Sequence, residues 1–199
     1  MIKLAKIVTS NSHVDYIGRV IDTLDTDAPP AASDYGFAQF VSMPLDDGSE
    51  VIGVIYNSQL INPEFGRLGP RLSSSAEMNA VFSPDLVNEQ GIFIGLLLVG
   101  WTDSDGTRHQ GIPRTVIPVN SDVTTMSDEE VRAFHTDKRE RLAMRYYSHV
   151  LTHARQFAPQ LLLAVLDQLE GLFGNQSRSE IAVLRRTLNW QQVFQSKSL

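Results

Sequence analysis

"FAQFVSMPLDDGSEVIGVIYN", residues 37–57, decides the fold. Two apolar runs flank the turn residues Asp46-Asp47-Gly48, so the stretch reads as a β-hairpin. Within it, "VIGVIY" (51–56) is apolar on both faces. Side chains alternate across a strand, so both faces of this one need cover. Such a strand belongs in a closed or layered β structure.

The same character extends outward. "IKLAKIV" (2–8) puts Ile2, Leu4 and Val8 on one face, and "DYIGRVI" (15–21) follows closely. "DAPPAASDYG" (27–36) is not expected to be regular, because Pro29-Pro30 fix φ and lack amide donors. "GIFIGLLLVGW" (91–101) is a second strand apolar on both faces, and "TDSDGT" (102–107) is a turn. Short strands with frequent turns predict a small antiparallel β-barrel or sandwich over residues 1–125.

The character changes at Met126. Ser127 and Glu130 form a capping-box pattern, with Asp128 and Glu129 favourable near a helix N-terminus. Leu142, Tyr146, Val150 and Ala154 recur every four residues through 139–157, which predicts one helix there. Pro159 suits the first turn of a second helix, which Gly174 ends. Ser177 and Glu180 repeat the capping pattern ahead of a third, 181–194. The fold class is therefore α+β: a barrel, 1–125, then a C-terminal helical subdomain of about three helices, 126–199. In "LLLAVL" (161–166) nearly every side of the helix is apolar. One side is expected to meet the barrel and another a second subunit, giving a homo-oligomer.

Charge bounds the partners. The net charge of −6 argues against a protein that coats DNA or membrane. Residues 1–126 hold 7 Lys/Arg and 15 Asp/Glu, a net of −8, while 127–199 hold 10 and 8, a net of +2. With no cysteine, disulfides and thiolate chemistry are excluded. Lys6 interrupts any leader-like apolar core, and the apolar run 92–101 is far short of the ~20 residues of a membrane span. A soluble cytoplasmic protein without membrane association is expected.

Catalytic signatures are missing. Gly-Lys-Ser/Thr does not occur, so there is no Walker loop, and no Gly-x-Ser-x-Gly elbow or paired-carboxylate pattern is found. In "INPEFGRLGPRLS" (61–73), Gly66, Gly69 and Pro70 read as a stiff turn. Its Arg67 and Arg71 either pair with local acids such as Glu64 and Glu77 or dock a partner through their planar forks. Lys138, Arg141 and Arg145 fall on one side of the expected helix, as a solvated stripe or a contact for an acidic partner. His149 and His153 share a face at a spacing that can hold zinc, but Val150 stands where a zinc hydrolase has Glu. No cofactor is expected.

"KIVTSNSHVDYIGRV" (6–20) is a strand, a Ser/Asn-rich bend and a strand crossing back. Together with 37–57 it resembles the HAS-barrel, the N-terminal barrel of HerA-type DNA translocases and rotary ATP synthases. The resemblance covers about residues 3–60, and the strand near 92–101 would complete the barrel. In those families the barrel is not catalytic. It caps a hexameric ATPase ring and, in HerA-type proteins, helps to dock the nuclease. Here helices, not an ATPase domain, follow it. The resemblance implies a non-enzymatic assembly module that binds itself, or a HerA-like ATPase or nuclease, in DNA processing. Arg67, Arg71, Lys138, Arg141 and Arg145 are the candidate contacts. The alternatives are a small barrel binding single-stranded nucleic acid and, last, a hydrolase using His149 and His153. Purified protein is expected to release no phosphate from ATP or GTP; turnover that a point mutation in this chain abolishes would contradict that.

Overall fold

The structure, a computed structural model, describes residues 1–62 and 91–196. Among the described residues seven strands come first: β1 (Lys3–Ser10), β2 (Asp15–Val20), β3 (Phe40–Pro44), β4 (Glu50–Ile61), β5 (Gly91–Thr102), β6 (Arg108–Gln110) and β7 (Asp122–Thr125). Four described helices follow: α1 (Asp128–Phe134), α2 (Tyr147–His153), α3 (Ala158–Phe173) and α4 (Arg178–Ser196).

Six strands close an antiparallel barrel in the order β2-β1-β7-β3-β4-β5, with β5 returning to β2. The hairpin read from 37–57 is present: Phe40 pairs with Val54 and Pro44 with Glu50, across a turn in which Gly48 takes φ 81°. Val51 to Tyr56 are buried on both faces, as their composition requires.

β5 organises the rest. One edge pairs with β4 along its whole length, from Gly91 to Thr102. The other edge is divided. Phe93 to Leu97 pair with β2 and close the barrel, and Gly100 to Thr102 pair with β6. At Gly100 a Cβ would collide with the His109 carbonyl and lie 2.6 Å from the Phe134 ring. Only glycine lets α1 and β6 approach the strand this closely. Tyr56 crosses from β4 to β2, its hydroxyl donating to the Asp15 carboxylate (2.8 Å), which also accepts from Asn11 (3.1 Å). Burial and the Asp15 bond together push the Tyr56 phenol pKa well up.

Two expectations are corrected. Ile2 and Val8 do not share a buried face with Leu4; Leu4, Ala5 and Ile7 are buried instead. The register of β1 shifts between Lys3 and Ala5 against β7, and between Ile7 and Thr9 against β2, which breaks strict alternation. Residues 139–157 are not one helix. The Asp137 carboxylate accepts from the amides of Arg139 (2.7 Å) and Arg141 (2.9 Å). Thr136 bridges to Leu142, and Glu140 sits at φ 58°. An Asp side chain that takes up amides in this way competes with helix formation. The four-residue spacing holds only from Tyr146 through Val150 to Ala154, all buried.

The capping box on α1 is formed: Ser127 Oγ accepts from the Glu130 amide, and the Glu130 carboxylate accepts from the Ser127 amide. Pro159 lies in the first turn of α3, and Gly174 ends it at φ 59°. α3 packs on α1, α2 and α4, and α2 lies on β5. Leu161, Leu162, Val165 and Leu166 of α3 are buried, whereas Leu163 and Ala164 are half-buried. One apolar cluster runs from the barrel into the helices. Among the described residues, no helix is long and apolar enough to cross a membrane.

Gly100→Ala is expected to destabilise the fold by about 1–3 kcal/mol, because backbone and a packed ring must both move. Chemical denaturation checks this; an unchanged midpoint would show that the close approach is not required.

Candidate functional site

The site grows from the short β6 hairpin. β6 presents Arg108, His109 and Gln110 beside the end of α1 and the segment 135–145. Gln110 is the staple. Its amide nitrogen donates to the carbonyls of Phe134 and Ala143, both at 2.9 Å. Its carbonyl accepts from the Arg145 amide at 2.7 Å. One side chain thus satisfies a helix-terminal carbonyl and two groups of an irregular segment.

His135 is the second tie. It is 0% exposed and ringed by Phe40, Phe134 and Tyr146. Val131 O can only accept, so Nδ1 carries the proton it shares with that carbonyl (2.7 Å). Nε2 then accepts from the Tyr146 hydroxyl (2.6 Å). Burial lowers the His135 pKa to about 4 and raises that of Tyr146. The pair holds α1 to the start of α2 in one protonation state.

Between these ties lies a cleft of about 280 Å³. Arg108, Lys138 and Arg145 line it, with His109 on the wall. Among the described residues none of the three cations makes an ion pair. The lining carboxylate, Asp137, is occupied by Arg141 (3.2 Å), and the Arg141 backbone amide holds its pKa below the usual carboxylate range. His109 stacks on Trp101 (4.8 Å between centroids, 13° between planes). Both rings donate to Asp103, from Trp101 Nε1 at 3.0 Å and His109 Nε2 at 2.7 Å. A fixed aromatic stack therefore lies beside three cations that are unpaired among the described residues. Chemically this arrangement suits an anion.

Of the residues singled out from sequence, Lys138 and Arg145 meet at the cleft. Arg141 does not line it. The three do not form a helical stripe, because Lys138 and Arg141 belong to the Asp137 turn. Arg67 and Arg71, with the turn around Gly66, Gly69 and Pro70, lie outside the described residues. His149 and His153 do sit together on α2, with ring centroids 4.5 Å apart. His149 Nε2, however, donates to Leu98 O at 2.9 Å, and burial lowers its pKa. Among the described residues no group of three or more His, Asp or Glu is placed to hold a metal. Sequence reasoning missed Arg108, His109 and Gln110. The only signal was the polar triplet that returns from a turn after a fully apolar strand.

Residues 1–197 match the family described as "Domain of unknown function (DUF8166)", and the chain belongs to that family. No curated protein matches the sequence.

His135 makes stability depend on pH. Its ordinary value is 6.5 and its folded value about 4, so as pH falls the unfolded chain binds the proton first. The stability is complete above pH 6.5 and is lost on going from 6.5 to 4, by about 3 kcal/mol at most. His135→Gln should flatten the dependence of melting temperature on pH in that window. An equally steep dependence in the variant would rule His135 out as its source.

Proposed function

We propose that this chain is a non-catalytic assembly module whose cationic cleft docks an acidic protein surface. The observation that carries the reading is the set Arg108, Lys138 and Arg145, three cations around one cleft without carboxylate partners among the described residues. Surface cations are commonly solvated singly. Three converging on a concavity held by Gln110 and His135 are pre-organised, which lowers the cost of ordering them on binding. The resemblance of the barrel to the HAS-barrel supports a setting in DNA processing in the cytoplasm, beside a HerA-like ring ATPase or nuclease.

A second reading, binding of single-stranded nucleic acid, is favoured by the Trp101–His109 stack at the rim. Bases stack on such platforms while cations track the phosphates. The net of −8 over residues 1–126 weighs against it, since a strand extending past the cleft meets an acidic barrel.

The two readings separate in one experiment. The probes are a fluorescent peptide of alternating Asp and Leu and a fluorescent oligo-dT. The variant is Arg108→Ala with Lys138→Ala and Arg145→Ala. The three side chains are exposed, so its melting temperature should stay near that of the parent. The peptide should bind the parent and lose at least about tenfold in affinity on the variant, in line with lost charged contacts at an interface. Equal peptide binding by parent and variant would overturn the docking reading. Oligo-dT binding that quenches Trp101, and whose salt slope falls by up to about one per cation removed, would favour the second reading.

A further inference from the structure

At the far end of β5 lies a second concavity, of about 430 Å³. Leu24, Pro29, Pro30, Tyr35 and Leu60 supply apolar lining. Leu60 is 79% exposed and Leu24 62%. Its surround is acidic. Asp22 and Asp25 share Arg19 (2.9 and 3.5 Å), and Asp27 and Asp34 make no ion pair among the described residues.

The two concavities are placed by the same strand. Gly91 and Ile92, where β5 begins, line the acidic one. Gly100 to Thr102, where β5 ends, hold the hairpin that lines the cationic one. At about 3.3 Å per residue the two ends of this strand are roughly 30 Å apart along it. Beyond β6, the loop that runs along β1 and β2 exposes Ile112 and Val116, with Arg114 exposed between them.

The surround of the apolar concavity is therefore acidic and the cleft itself cationic, while Glu50, Asp103 and Asp105 also lie at the cleft's end of β5. We infer that the acidic surface docked by the cationic cleft is the Leu24–Asp27 end of a second copy of this chain, joined head to tail. This rests on the docking reading above and names its partner. The unpaired cations of the cleft against the Asp27 and Asp34 carboxylates favour this pairing over cleft-to-cleft contact. The exposed Leu24 and Leu60 supply apolar area that is removed from water. Such a contact is heterologous: a joined pair still has one free cleft and one free acidic end. Association then continues until a ring closes, or runs on as a filament.

Two variants test this. The cleft variant is Lys138→Glu with Arg145→Glu, and the acidic-end variant is Leu24→Ser with Asp27→Lys. All four positions are exposed, and unchanged circular dichroism melts would show that both variants fold. Sedimentation velocity of the parent at rising concentration should show species larger than a dimer. Each variant alone should remain monomeric. Mixed in equal amounts, they should form a dimer and nothing larger, because one intact cleft then meets one intact acidic end. A parent that stays monomeric overturns the inference. So does a parent that stops at a dimer, or a mixture that does not associate. The Asp-Leu peptide keeps the two claims apart. If the cleft variant loses the peptide while the parent does not self-associate, docking stands and self-docking falls. If it keeps the peptide, both fall.

Discussion

The divided edge of β5 is the constraint on which the rest depends. Five residues, Phe93 to Leu97, pair with β2 and close the barrel. Three more, Gly100 to Thr102, are left for β6. A barrel strand ordinarily spends both edges on closure. Here the 12-residue strand outruns its partner of six, and its surplus forms a platform beyond the barrel. Phe134 and the His109 carbonyl press against that platform at Gly100, where any side chain would be in the way. Removing β6 would take away the Gln110 staple, and with it the wall of the cleft.

This arrangement explains how three like charges can be held close together. Arg108, Lys138 and Arg145 come from a strand, a turn and an irregular segment, and none is placed by a helical repeat. Their backbones are fixed by the Gln110 amide, the His135–Tyr146 bond and the Asp137 carboxylate, which accepts from the Arg139 and Arg141 amides. The charges themselves are exposed, where water moderates their repulsion. His135, kept neutral by burial, adds no fourth charge at neutral pH.

Much of the fold was legible because it rests on local signals. The 37–57 hairpin, the doubly buried strands, the Ser127 capping box, the first-turn Pro159 and the Gly174 stop each follow from a few adjacent residues. What was hidden depends on pairing at long range. β7 has four residues and little apolar pattern, yet it sits between β1 and β3 and completes the closure. The shifts in β1 are set by its neighbours, so alternation counted along the chain chose the wrong face. The helix expected over 139–157 failed because Asp137 offers its carboxylate to amides that a helix would use. Two of the five candidate contacts, Lys138 and Arg145, do converge. They do so through Gln110, 35 residues before Arg145, which no spacing rule connects to it. Arg141 had the right charge but spends it on Asp137.

The central claim is that the two ends of β5 are complementary docking surfaces. Backbone NMR of the full chain across a concentration series tests it directly. The account predicts shifts that grow together in two separated groups, around Arg108, Lys138 and Arg145 and around Leu24, Asp27 and Leu60, and that shrink as salt is raised. Shifts confined to one end would contradict it, as would shifts centred on the half-buried Leu163 and Ala164 of α3 and insensitive to salt.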